Sequence, residues 1–194
     1  MLAKISKKMT SFFLRRNIIT ENEIDIYNYC FEVMLSTIIN ALLILIIALI
    51  THCVFESILY SVCFLVLRSY AGGYHAKSHI GCVCTLMFFY GSFLLMVKIF
   101  NSEVLKIINV VFANFSLLLV FLFAPVDSKN NPLDEERRLL LGKKAIISTI
   151  VIITVAELIN FSTVNTKLSF AMLSAVFAVA ISLIVGIIKN RISR

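Results

Sequence analysis

Three stretches of this chain, Val33 to Ile50, Ile107 to Ala124 and Leu168 to Ile188, run without a single charged side chain. Each is close to the roughly 20 mostly apolar residues that a helix needs to cross a hydrocarbon core of about 30 Å. A fourth stretch, Ile80 to Val97, is as long as the first and equally uncharged. Two weaker ones complete the pattern. Val54 to Leu67 is short and carries Glu56, and Ala145 to Ile159 carries Glu157 near its end. The expected fold class is therefore an all-α membrane protein with about six transmembrane helices plus an N-terminal amphipathic interfacial helix. Composition excludes the alternative of a soluble globular domain. Of the 194 residues 60% are hydrophobic and only 15% charged, with a mean hydropathy of +0.96, whereas soluble domains sit nearer half and a quarter.

The net charge of +7 has a use in orientation, and no nucleic-acid partner is expected. With six spans and the N-terminus in the cytoplasm, every one of the 18 lysines and arginines except Lys98, Lys106 and Lys167 falls on the cytoplasmic side. Such an asymmetry is the rule for multi-pass proteins. It predicts a cell-membrane protein with both termini inside. The five cysteines, Cys30, Cys53, Cys63, Cys82 and Cys84, are odd in number and lie in or beside spans. They read as reduced thiols rather than a disulfide framework. A secretory signal is not expected, because the first apolar run starts only at Val33 and no small-residue cleavage site follows it.

Residues 1 to 16 read as a helix lying in the headgroup plane. Leu2, Ile5, Met9, Phe12 and Phe13 recur at spacings of three and four, with Lys4, Lys8, Ser11 and Arg15 on another face. A polar, acidic linker is expected from Asn17 to Glu32, and a tight hairpin at Thr51 to Cys53. The longest loop is expected from Pro125 to Lys144, and it holds both prolines. No repeat or low-complexity segment is present. The chain is read as a single domain over 1–194: an N-terminal segment at 1–32, a transmembrane bundle at 33–188 and a cytoplasmic tail at 189–194.

Chemistry concentrates between the second and third spans. There the chain reads Arg68-Ser-Tyr-Ala-Gly-Gly-Tyr-His-Ala-Lys-Ser-His-Ile-Gly-Cys-Val-Cys84, with two of the three histidines and two of the five cysteines. Nucleophilic catalysis by cysteine needs a thiolate, and a nearby imidazole supplies it by taking the proton. His75 or His79 could serve Cys82 in this way. On a straight helix His75 and Cys82 would be about 10.5 Å apart in height, so a dyad requires the chain to bend between them, with Cys82 near the start of the third span. Gly81, directly before Cys82, tolerates the backbone angles such a boundary needs. A cysteine at a helix N-terminus is more readily ionised, and the amides there can stabilise an oxyanion. Other readings compete. Cys30, Cys53, Cys63 and Cys84 read as small packing residues, and His79 as an interfacial one. His75, His79, Cys82 and Cys84 are also ligand types that suit zinc.

This segment resembles the AgrB family, the membrane peptidases of Gram-positive quorum sensing. The family pattern is an arginine, a glycine pair, a histidine and a cysteine seven positions later. Arg68, Gly72-Gly73, His75 and Cys82 match it. Ala124-Pro-Val-Asp-Ser-Lys-Asn-Asn-Pro132 is similar to the family's second signature loop, and the likeness covers nearly the whole chain. The resemblance implies a cysteine endopeptidase that cleaves an AgrD-like signal propeptide. Cys82 would be the nucleophile, His75 its general base and then acid, and Arg68 and Gly73 supporting or substrate-positioning residues. It implies an acyl-enzyme thioester on Cys82, which a cysteine or serine of the propeptide resolves into a cyclic thiolactone or lactone. It implies no cofactor and no metal, membrane lipid as surroundings, and allows a homodimer.

The inner loop carries Asp127, Asn130, Asn131, Asp134, Glu135 and Glu136, any one of which could orient His75. Its basic end, Arg137, Arg138, Lys143 and Lys144, could attract an acidic propeptide tail. Two other classes of function are weighed beside the peptidase. A small peptide transporter would use Glu56 and Glu157 within its spans. A metal-dependent membrane hydrolase would use the His and Cys cluster.

Overall fold

The computed structural model describes residues 2–72, 79–126, 134–162 and 165–192. The chain divides into two compact units, Met1–Ile50 and Thr51–Arg194. In the first, α1 (Leu2–Arg15) is followed by a single 3-10 turn at Glu21–Glu23 and by α2 (Ile24–Thr51). Asn17 takes a positive φ of 53° as the chain leaves α1, a conformation that asparagine tolerates better than most residues. Thr20 then makes a capping box with Glu23, whose Oε2 accepts from the Thr20 amide at 2.9 Å and its hydroxyl at 2.7 Å. The expected linker from Asn17 to Glu32 is therefore largely helical. Its acidic residues Glu21, Glu23 and Asp25 lie at the start of the helix, where the dipole favours them. On α1, Phe13 packs on Phe31 with ring centroids 5.3 Å apart, while Ile5 and Phe12 stay exposed on the side a bilayer surface would take.

The second unit holds α3 (Val54–Ala71), α4 (His79–Ile99), α5 (Ser102–Phe123), α6 (Glu135–Phe161) and α7 (Thr166–Ile192). With α2 these are six helices at the places of the six expected spans. Five, including α2, are long and apolar enough to cross a membrane; for α4 the described apolar stretch is the shorter Val83–Ile99. The protein is an all-α, multi-pass membrane protein. Glu56 lies in the first turn of α3 and Glu157 in the last turn of α6, so both weak spans keep their charge near an end.

Helix α7 is the axis of this unit, packed against α3, α4, α5 and α6. Two-thirds of its apolar window (67%) is buried, against at most 33% for the others. The physical reason is size. Ala171, Ser174, Ala175, Ala178, Ala180 and Ser182 are buried along it, and small side chains let neighbouring backbones approach, which is how helices associate in lipid. Large side chains fill the gaps. Phe112 stacks on Phe177 at 4.1 Å, and Phe170 meets both Phe93 and Phe112. Leucines, isoleucines and phenylalanines on the outer faces of α3, α5 and α6 are exposed, as side chains facing lipid tails should be.

One boundary differs from the sequence reading. Helix α6 begins at Glu135, well before Ala145, so most of the basic stretch is helical rather than loop. Glu135 and Glu136 occupy its first turn, complementing the dipole, and residues 137–144 include strong helix formers. At 27 residues and 1.5 Å per residue the helix is about 40 Å long, longer than the hydrocarbon core. Its basic start can extend beyond the lipid.

Candidate active site

Antiparallel succession gathers the end of α3, the start of α4, the end of α5, the start of α6 and the later part of α7 at one end of this unit. Two segments that are remote in sequence meet there. Helix α3 closes at Ala71, where Gly72 N–H donates to the Arg68 carbonyl at 3.2 Å. Gly72 then takes a φ of +69°, a region open to glycine and strained for side-chain-bearing residues. The strand-like turn after α5 lies against it. Val126 N–H donates to the Ala71 carbonyl at 3.0 Å, and Gly72 and Val126 form a parallel bridge. The approach is so close that a Cβ on Gly72 would sit 2.5 Å from the Val126 carbonyl oxygen.

Arg68 is turned onto this junction. Its Nη1 donates to the Gly72 carbonyl at 2.9 Å and to Ser182 Oγ of α7 at 2.6 Å. Ser182 is buried, and its own hydroxyl donates to the Val179 carbonyl at 2.7 Å. The surrounding core is apolar, with Leu67, Ala71, Val120, Val179 and Leu183. From the other side, Gly142 of α6 lets Pro125 close in. A Cβ at position 142 would lie 3.2 Å from Pro125 Cδ and 3.5 Å from the Ala124 carbonyl oxygen. The Ala124–Pro125 peptide is cis. Lys144, next to the buried Ala145, sits over the Tyr70 ring at 5.9 Å, a cation–π contact that ties α6 to α3.

The remaining predicted residues divide as follows. Cys82 lies in the first turn of α4, which starts at His79; the side chain of Cys82 is not among those described. Gly73 and His75 lie outside the described residues, as do Asp127, Asn130 and Asn131 of the inner loop. His79 is the first residue of α4. Cys84 is exposed, Cys63 is buried, Cys53 is half-buried and Cys30 is exposed on α2, and all four are free thiols. Only Cys63 joins a core. Among the described residues, no three His, Cys, Asp or Glu side chains are grouped as a metal site. Glu136, Arg137, Leu139, Leu140 and Lys143 line a shallow groove on the exposed start of α6.

Sequence reasoning missed Ser182, Gly142 and the Gly72–Val126 contact. Ser182 is a polar residue inside an otherwise apolar run, a signal that was present but ambiguous, because hydroxyls in membrane helices commonly bond their own backbone. Nothing local in the sequence pairs Gly142 with Pro125.

The family profile of AgrB, accessory gene regulator B, matches residues 6–187. The chain is similar to AgrB-like protein 2 of Clostridium perfringens (strain 13 / Type A), with 32% identity over 169 residues, covering 80% of this chain and 77% of the relative. It is also similar to an AgrB-like protein of Listeria monocytogenes serotype 4a (strain HCC23), with 32% identity over 154 residues, covering 78% and 74%. No solved structure matches. A match running from α1 into α7, and so spanning both segments that meet at Gly72 and Val126, means that this chain belongs to the AgrB family.

Proposed function

We propose that the protein is a cysteine endopeptidase of the membrane, which cleaves the C-terminal tail from an AgrD-like signal propeptide and prepares it for cyclisation. AgrB membership supports a role in the agr quorum-sensing system. The observation that carries the finer reading is the pairing of Gly72 with Val126. It joins the end of α3, which carries Arg68 and Gly72, to the Ala124-Pro-Val126 segment, and the resemblance rests on both of these parts of the chain.

In this reading His75 takes the proton of the Cys82 thiol, and the thiolate attacks the propeptide carbonyl. The positive end of the α4 dipole favours the thiolate and the oxyanion that follows. Collapse of that intermediate expels the tail as an amine, which receives its proton from His75, and leaves a thioester on Cys82. A cysteine or serine of the propeptide then attacks the thioester, releasing Cys82 and closing the ring. Exchange of thioester for thiolactone is nearly isoenergetic, so the site must exclude water for the ring to prevail, and a lipid boundary helps to do so. The excess of basic residues at this end supports a cytoplasmic active site, with both termini on that side. Arg137 and Lys143, in their groove on α6, attract the acidic tail.

The test is cleavage of a propeptide by the purified protein in lipid vesicles. Cys82→Ala and His75→Ala are expected to abolish cleavage, by about a thousand-fold or more, while inserting normally. Cys84→Ala and His79→Ala should stay within a few-fold of the parent. Undiminished processing by Cys82→Ala would overturn the proposal.

A further inference from the structure

The geometry points to Ser182 as a positioning residue for the reaction, acting through Arg68 on the backbone that leads to His75. This inference rests on the His75–Cys82 reading. Its basis is the bridge made by one guanidinium nitrogen. Arg68 Nη1 holds the Gly72 carbonyl at 2.9 Å and Ser182 Oγ at 2.6 Å. Gly72 is the last described residue before the segment that contains His75. Its carbonyl belongs to the peptide unit that joins it to Gly73, so whatever fixes that oxygen fixes the direction in which the chain leaves α3. Gly72 offers little stiffness of its own there, because glycine gives access to backbone regions closed to other residues. Stiffness has to be supplied from outside, and Arg68 and Val126 supply it.

Ser182 completes that restraint in a specific way. Its hydroxyl hydrogen is committed to the Val179 carbonyl at 2.7 Å, which leaves the oxygen as a pure acceptor for Arg68. The contact is charge-assisted and lies among apolar side chains, where such bonds are strongest. It also anchors the junction to α7, the most buried helix of the unit. Without Ser182, the Arg68 guanidinium loses its acceptor on α7, and with it the tie between that helix and the Gly72 carbonyl. Proton transfer between an imidazole and a thiol falls steeply with misplacement of about 1 Å, so a loosened exit at Gly72 should weaken the chemistry more than the binding.

The experiment uses the full chain in lipid vesicles with a synthetic propeptide, comparing the parent with Ser182→Ala, Ser182→Cys and Ser182→Thr. Cysteine is near in size to serine but a weak acceptor, so it keeps the test valid should the alanine variant insert poorly. Ser182→Ala and Ser182→Cys should lower kcat about ten-fold with KM within about two-fold, and Ser182→Thr should recover most of the loss. In an Arg68→Lys background, Ser182→Ala should cost no more than about a further two-fold, since the two act as a unit. Alkylation of Cys82 by iodoacetamide, followed at that residue by peptide mass spectrometry, gives the decisive readout. Its pH profile should move to higher pH in Ser182→Ala, because a poorly placed imidazolium no longer favours the thiolate. An unmoved profile alongside the fall in kcat, or fully additive losses with Arg68→Lys, would overturn the positioning role. His75→Ala is run in parallel. If it too leaves the profile unmoved, the dyad itself fails; if it shifts the profile and Ser182→Ala does not, only the role of Ser182 fails.

Discussion

At position 72 two independent constraints coincide, a φ of +69° and a carbonyl oxygen 2.5 Å from where a Cβ would stand. The first costs a non-glycine residue about 1–2 kcal/mol by itself, and the second forces backbone to move. Gly72→Ala is therefore expected to destabilise by at least about 2 kcal/mol and to reduce processing sharply. Gly142→Ala meets a Pro125 ring carbon at 3.2 Å, which can be relieved by a small shift, and gains helix propensity. It should fall within about 1 kcal/mol of the parent. Gly91→Ala, with nothing within 4 Å, should be neutral or stabilising by up to about 1 kcal/mol. Thermal unfolding of the three variants in detergent, followed by loss of the monodisperse peak in size exclusion, checks this order. A Gly72→Ala protein as stable as Gly91→Ala would contradict the geometry. The glycine pair at 72 and 73 was legible in the sequence as a special feature of the loop. What made its first member irreplaceable was not, because the oxygen it makes room for belongs to Val126, far along the chain.

Among the helices, the end away from the candidate site is held by polar contacts as well as apolar ones. Asn109 of α5 is fully buried, and its Nδ2 donates to Asn160 Oδ1 of α6 at 3.1 Å and to Ser169 Oγ of α7 at 2.6 Å. Hydrogen bonds between membrane helices contribute modestly, about 1 kcal/mol or less each. Asn109→Ala should accordingly lower stability by about 1 kcal/mol while leaving kcat for processing unchanged, since the catalytic chemistry is assigned to the opposite end. Unfolding and cleavage measured on one preparation check both halves; a large loss of kcat at unchanged stability would contradict the division. Hydropathy revealed each of these helices, but gave no sign that α7 is the buried one. Its apolar run is longer than most, yet length does not distinguish lipid from protein as surroundings. The decisive property is side-chain size, since Ala171, Ala175 and Ala178 allow contacts that a leucine face would not.

For the molecule as a whole, the charge asymmetry distinguishes the two ends of the second unit, and the proposed topology takes the basic end as cytoplasmic. Arg68, Arg137, Arg138, Lys143 and Lys144 belong to helix ends that meet at the candidate site, whereas Lys98, near the end of α4, and Lys106, near the start of α5, flank the opposite turn. In a Cys53→Ala background, a cysteine substituted for Lys98 should react with a membrane-impermeant maleimide on intact cells. One substituted for Lys143 should react only after permeabilisation. The reverse pattern would invert the topology and move the proposed active site to the outer face.

The sequence by itself determined that the chain lies in a membrane and roughly where its helices run, and the proposed orientation and chemistry-bearing segment rest on it as well. All of these follow from local properties: apolar length, the placement of charge, and residue types spaced within a few positions. The starts of α2 and α6 were read too late, because charged residues in a first turn look like loop until the helix dipole is taken into account. Tertiary structure alone decided that α7 is the axis, that Gly72 must be glycine, and that Arg68 is held by Ser182. Those facts depend on which atoms from distant parts of the chain come within a few ångströms of each other, and in lipid that is decided by close packing of small side chains and by the need of each buried polar group for a partner.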